Sequence, residues 1–230
     1  MTRIRMEFAK GDGVRFVSHL DTMKTFERAI RRAALPIAFS EGFNPHPKLS
    51  FGSALAVGVT SDGEYVDIEL SRAVAAGEVM KALNASLPPG FRISKAAEVS
   101  QEAPALMAVL NRADYLVTGK ITGSWSQAQM EQVILEFLQR DEAVIEKWSK
   151  KGAKEVDLRP GILNLSGGLE NDTVRLEMSV MAGSEKNIRP EEVIAALVKY
   201  QNLPIDPQGV KIHRKRLYIF KDNKVLSPME

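Results

Sequence analysis

The sequence predicts an α+β protein made of two similar halves, each running β-α-β-β-α-β. Three observations predict it. Strand-like alternation appears at residues 3–9 and 65–70, and again at 113–122 and 173–180. A helical pattern follows the first strand of each half, SHLDTMKTFERAIRRAAL in one and SQAQMEQVILEFLQRD in the other. Two stretches also align between the halves: Glu78-Val79-Met80-Lys81-Ala82-Leu83 with Glu192-Val193-Ile194-Ala195-Ala196-Leu197, and Val66-Asp67-Ile68-Glu69-Leu70 with Val174-Arg175-Leu176-Glu177-Met178.

In chain order, RIRMEFA reads as a strand and Gly11-Asp12-Gly13 as a turn. The first helix starts at Ser18, an N-cap with Asp21 three residues on. Leu20, Met23, Phe26, Ile30 and Ala33 form its expected buried stripe, and Pro36 stops it. LSFGSALAVGV at 49–59 reads as an apolar strand, SDGE at 61–64 as a turn, and YVDIEL as a strand. AAGEVMKALNASL is a second helix, ended by Pro88-Pro89-Gly90, and FRISKAAEV is a further strand. In the second half, ADYLVTGKIT is a strand, and AVIEKWS a strand after the helix. LRPGILNLSGG is a connection, with Gly167-Gly168 an ordinary turn. TVRLEMSV is a strand, PEEVIAALVKY a helix, and VKIHRKRLYIF the closing strand. This order is that of the ferredoxin-like unit. The expected division is residues 1–100 for the N-terminal half, 101–112 for a linker and 113–230 for the C-terminal half. Two such halves form a pseudo-two-fold antiparallel sheet with helices on one side, leaving the opposite face open or partly covered by loops.

The chain of 230 residues is 44% hydrophobic, enough for a sizeable core. No run of about 18 apolar residues suggests a membrane span, and MTRIRMEFAKGDG lacks the apolar core of a secretory signal. A cytoplasmic protein is expected. Cysteine is absent, so this chain offers no disulfide, thiol nucleophile or cysteine-held cluster. No cofactor and no metal site are expected. Net charge is only +2, so nucleic-acid affinity requires clustering. Lys24, Arg28, Arg31 and Arg32 share one side of the first helix. Lys147, Lys150, Lys151 and Lys154 crowd a turn, and Arg214, Lys215 and Arg216 follow His213. Each cluster reads either as a phosphate-contacting patch or as a solvated face.

Residues 39–52, FSEGFNPHPKLSFG, are too proline-rich for a helix or central strand. Phe39, Phe43 and Phe51 are either base-stacking platforms or plugs that anchor the loop. Asn44 precedes Pro45 and is pushed to extended backbone. His46, between two prolines, suits general-base chemistry, phosphate contact or local structure. His19 lies in the first turn of the first helix, a position from which it can converge on the Asn44–His46 loop. Candidate catalytic residues are His46, Glu41 and Asp21. Candidate binding residues are His19, Asn44, His46, Lys48, Lys24, Arg28, Arg31, Arg214, Lys215 and Arg216. No phosphate-binding loop, serine-hydrolase elbow or metalloprotease motif is present.

Residues 13–59, with Phe16-Val17-Ser18-His19-Leu20-Asp21 and Gly42-Phe43-Asn44-Pro45-His46-Pro47 as the specific motifs, resemble a bacterial family encoded beside or fused to a radical SAM protein, the radical-SAM-linked proteins. The resemblance extends over nearly the whole chain and implies a radical SAM partner without naming a reaction. A weaker resemblance, over about 80–121 (LNASLPPGFRISKAAEVS, then RADYLVTGKI), is to A-type tRNA pseudouridine synthases, which also consist of two ferredoxin-like halves. Their catalytic Asp sits in an R-T-D-x-G-V-H-A loop; the corresponding FSEGFNPHP has no such Asp, and Glu41 is its nearest carboxylate. The resemblance therefore implies a pseudouridine-synthase-like architecture and an RNA-binding face, not that activity. CRISPR-repeat ribonucleases share the double architecture, but KIHRKRLYIFKDNK lacks their glycine-rich loop.

Three functions follow. One is an RNA-binding accessory protein, for tRNA or rRNA, acting with a radical SAM partner in RNA modification. The second is an RNA-modifying enzyme with an altered pseudouridine-synthase-like site. The third is a protein–protein adaptor without RNA. An exposed basic face favours the first, a pocket holding a carboxylate the second, and a bare apolar patch the third.

Overall fold

A computed structural model describes residues 1–149 and 152–229. It is a mixed α+β protein with mostly antiparallel strands and divides into two compact units, Met1–Asn111 with Arg216–Glu230, and Arg112–Lys215.

The first unit runs β1 (Thr2–Lys10), α1 (His19–Arg32), β2 (Leu49–Phe51), β3 (Val59–Leu70), α2 (Ala76–Ser86) and β4 (Phe91–Val99). Its strands lie in the order β4-β1-β3, with β2 also on β3, and each of these pairs is antiparallel. A four-residue helix, α3 (Leu106–Val109), follows. Ser18 caps α1, its hydroxyl accepting from the Asp21 N–H at 3.1 Å and donating to the Asp21 carboxylate at 2.7 Å. The helix ends at Ala33, before Ala34 turns left-handed and Pro36 prevents continuation. Alternation in β1 puts Ile4, Met6 and Phe8 against Val66, Ile68 and Leu70 of β3, beneath Phe26, Ala29 and Ile30 of α1 and Val79 and Leu83 of α2. Each of these side chains larger than Ala29, fully buried, stabilises by about 1.5–3 kcal/mol.

The expectations for this unit need three corrections. Leu20 is exposed; Thr22 takes the buried position, so the helix turns its stripe by part of a turn. Strand β2 covers only Leu49–Phe51, because Gly52 onward leaves the ladder as a loop. Ser61–Glu64 is not a turn: it lies inside β3, where pairing slips between Lys10↔Ser61 and Phe8↔Glu64. The Asp-Gly signal here marks a β-bulge, the other structure that such residues favour.

The second unit contains β5 (Arg112–Lys120), α4 (Gln127–Leu138), β6 (Val144–Ser149), β7 (Gly152–Asp157), β8 (Ile162–Glu170), β9 (Thr173–Met181) and α5 (Pro190–Gln201). Strand β10 (Lys211–Lys221) begins in this unit and ends in the first; β11 (Lys224–Leu226) pairs with it. The order here is β10-β5-β9-β8. Reciprocal hydrogen bonds between Ser126 and Gln129 start α4. Val117, Leu176, Met130, Phe137, Val193 and Leu197 are fully buried core residues of this unit.

Here the sequence reading misplaced one strand. AVIEKWS does not join the main sheet; it forms a separate hairpin with β7. The connection at Ile162–Glu170 is the strand that pairs with β9. Gly167 is a strand residue and not a turn: a Cβ there would stand 2.6 Å from Ile134 of α4 and 2.5 Å from Leu176. Of the lysine-rich turn, Lys150 and Lys151 lie outside the described residues, and Lys147 pairs with Glu192 at 2.8 Å.

Candidate functional site

The phase of β1 that buries Ile4, Met6 and Phe8 also turns Lys10 inward, and Glu64 sits opposite Phe8. Both charged residues are buried, at 2% and 3% exposure. Lys10 Nζ donates to the carbonyls of Arg15 at 3.0 Å and Val17 at 2.7 Å, tying down the lead into α1. Helix α1 adds His19 and Thr22, and the segment after β2 adds Ser53 and Leu55. With Phe8, Phe51 and Glu64 these residues line a cavity of about 10 Å³, roughly one water in size.

The apolar wall is an aromatic cluster. Phe8, Phe26 and Phe51 pack with ring centroids 4.8–5.8 Å apart, and the His19 ring stands edge-on to Phe51 at 5.4 Å. Burial pushes the Lys10 ammonium and the His19 imidazole below their ordinary pKa values, against the opposing pull of Glu64. Lys10 adds to the lowering at His19. A neutral imidazole beside a buried carboxylate and ammonium is equipped to accept a proton from a small polar group or to hold it by hydrogen bonds.

The opposite phase of the same strands carries a second polar cluster. Arg5 and Asp67 form two hydrogen bonds, Nε to Oδ1 at 2.8 Å and Nη2 to Oδ2 at 3.0 Å, and Arg3 also donates to Asp67. The guanidiniums go on to the carbonyls of Ala103 at 2.7 Å, Pro104 at 3.1 Å and Pro228 at 2.9 Å. Segments 103–104 and 228 therefore cover this part of the face.

The structure separates several sequence candidates. Asn44, His46 and Glu41 are exposed on a loop tip and do not line the His19 cavity. That tip is closed by Ser40, whose N–H donates to the His46 carbonyl at 2.8 Å and whose hydroxyl accepts from the His46 N–H at 3.0 Å. Gly42 has φ +117° within it, a backbone state that L side chains resist. Of the three phenylalanines, Phe51 is a core plug, while Phe39 and Phe43 are exposed and plug nothing. Lys48 pairs with Glu69 at 2.9 Å. Asp21 is engaged by Ser18. Lys24, Arg28 and Arg31 line the exposed side of α1 and form no ion pair among the described residues.

Arg214 is not a surface cation. It is 5% exposed and donates to the Tyr115 hydroxyl at 3.0 Å. Lys215 pairs with Glu177 at 3.3 Å, and Arg216 stacks over the Tyr218 ring at 4.6 Å. Lys10 and Glu64 were missed although the signal was there. Each continues the apolar phase of its strand, so a charge stands where the pattern calls for a core residue.

Among solved structures, a chain of a Cbf5-Nop10-Gar1 complex superposes with a TM-score of 0.52 at 15% identity, over 96% of this chain and 50% of that one. A chain of an H/ACA RNP bound to a substrate RNA containing 2'-deoxyuridine gives 0.48 at 14% identity, over 94% and 47%. One from the archaeal box H/ACA sRNP Nop10-Cbf5 complex gives 0.44 at 12%, again over 94% and 47%. The protein thus spans about half the length of these chains and shares a fold with the first. A comparison with curated proteins gives no match. A family model matches residues 3–190, and on that match the chain belongs to the family described as "Uncharacterized protein conserved in bacteria (DUF2344)".

Proposed function

We propose that the protein is a cytoplasmic RNA-binding accessory factor that acts with a radical SAM enzyme in RNA modification. The observation that carries this reading is the row Lys24, Arg28 and Arg31 on the exposed face of α1, without acidic partners among the described residues. Cations held on one rigid helix face and left unneutralised suit a phosphate backbone. The radical SAM partner rests on the FVSHLD and GFNPHP motifs, and any cluster-based chemistry belongs to that partner because this chain supplies no cysteine. The strand orders β4-β1-β3-β2 and β10-β5-β9-β8 support reading the units as two ferredoxin-like halves, with β6 and β7 inserted into the second. The matched stretches agree: the α2 and α5 segments, and the β3 and β9 segments, hold the same place in each order.

The test is filter binding of tRNA and rRNA fragments at two salt concentrations. Binding should weaken as salt rises, with a logarithmic slope of roughly 0.7 per phosphate contact on single strands. Lys24→Glu, Arg28→Glu and Arg31→Glu together should abolish it. Binding indifferent to salt and to this triple variant overturns the reading. Co-purification with the radical SAM protein tests the partner.

A second reading, an RNA-modifying enzyme, is favoured by the buried Glu64 beside Lys10 and His19. It predicts tritium release from uridine-labelled tRNA that Glu64→Gln abolishes; no release from the folded protein removes it.

A further inference from the structure

Phe16 is 69% exposed, yet the backbone on both sides of it is tied down. Lys10 Nζ holds the carbonyls on both sides of it, those of Arg15 and Val17. The Arg15 carbonyl also accepts from the Gly58 N–H at 2.9 Å, and the Val17 N–H donates to the Val14 carbonyl at 2.9 Å. Val14 and Val17 pack on the core, so Phe16 is held outward between two anchored neighbours. The Arg15 guanidinium lies 4.6 Å from the centre of the ring. In the first turn of α1, Leu20 is also exposed, and Lys24 and Arg28 continue its face at four-residue spacing.

A single exposed aromatic needs no explanation by itself; what sets Phe16 apart is the anchoring on both sides of it and the guanidinium over its ring. It stands just before the helix whose exposed side carries Lys24 and Arg28, which form no ion pair among the described residues. We propose that Phe16 is a stacking platform for one unpaired base of a bound RNA, with Arg15 holding the ring and the α1 cations taking the flanking phosphates. The inference rests on the RNA-binding reading above. Stacking of a base on an aromatic tolerates any sequence, whereas phosphate contacts confer the salt dependence. The strand must be unpaired at this point, because a base inside a duplex offers no free face to the ring.

The experiment uses the full chain and a single-stranded oligoribonucleotide carrying one 2-aminopurine, whose emission changes on stacking. The wild-type protein should alter the emission on binding. Phe16→Ala should lose that change and weaken binding about 5- to 150-fold, with the melting temperature unchanged because the side chain is exposed; Phe16→Trp should retain both. If Phe16→Ala keeps full affinity and the same emission change while the triple α1 variant loses binding, the stacking site is overturned and the RNA reading stands. If the wild type binds no oligonucleotide at low salt, both are overturned. If Phe16→Ala keeps its RNA but loses the radical SAM protein, the ring belongs to a protein interface and the inference fails.

Discussion

Arg5 meets Asp67 through two parallel hydrogen bonds, 2.8 and 3.0 Å long, in a site where both side chains are nearly inaccessible to water. Arg3 shares the same carboxylate, so one negative charge serves two cations, Arg5 buried and Arg3 partly buried. Removing it leaves both guanidiniums with backbone carbonyls alone. Asp67→Ala should cost about 3–5 kcal/mol, read as a fall in the urea midpoint. A change below about 1 kcal/mol would show that the carbonyls of Ala103, Pro104 and Pro228 suffice.

His19 titrates below its ordinary value of 6.5, because burial disfavours the imidazolium and Lys10 adds repulsion, while Glu64 opposes both. Glu64→Gln should therefore lower it further and Lys10→Met should raise it, measured by NMR on the His19 ring. The linkage follows in sign. As pH falls below 6.5 the unfolded chain takes up this proton before the folded one does, so stability declines until the folded-state value is passed. His19→Gln should remove that part of the slope.

Gly167 lies in β8 with no room for a side chain between Leu176 and Ile134. Gly167→Val should destabilise by about 1–3 kcal/mol through overpacking. Gly123, which has open space around it but φ +79°, provides a contrast. Gly123→Ala should cost about 1 kcal/mol from backbone strain alone. Equal thermal shifts for Gly167→Val and Gly167→Ala would argue against the packing account.

The loop tip separates binding from structure. Ser40 closes it through the backbone of residue 46, so the side chains of Asn44 and His46 bear no part of that closure. Asn44→Ala with His46→Ala should leave stability within about 0.5 kcal/mol, as at other exposed positions. A loss of RNA or partner binding in this folded double variant would mark the tip as a contact surface.

Strand β1, the Tyr65–Leu70 half of β3, both long helices of the first unit and the N-cap at Ser18 were legible because period and capping chemistry are local. The Asp62-Gly63 pair misled because the same residues serve turns and bulges, and only pairing register distinguishes them. Ile162–Glu170 was illegible as a strand because Ser166-Gly167-Gly168 lacks side chains to alternate, the space being filled by α4 instead. Arg214 looked like its neighbours Lys215 and Arg216, yet strand alternation turns it inward onto Tyr115, a partner 99 residues away in the chain. The convergence of Lys10, Glu64 and His19 depends on strand phase, which was available, and on how α1 lies over the strands, which was not.

Strand β10 has a consequence for how the protein is made. The first compact unit takes in Arg216–Glu230, and its early residues depend on the late ones: Arg5 binds the Pro228 carbonyl, and Asn111 brackets Phe220 with hydrogen bonds of 2.8 and 3.0 Å. The ribosome has therefore synthesised all of the intervening unit before the first can be finished. During translation Arg5 waits without one of its acceptors, while Arg112–Lys215 is contiguous in sequence. The usual N-terminal-first order of folding is inverted for the final closure, and a chain stalled before residue 216 would expose an incomplete first unit to chaperones and proteases.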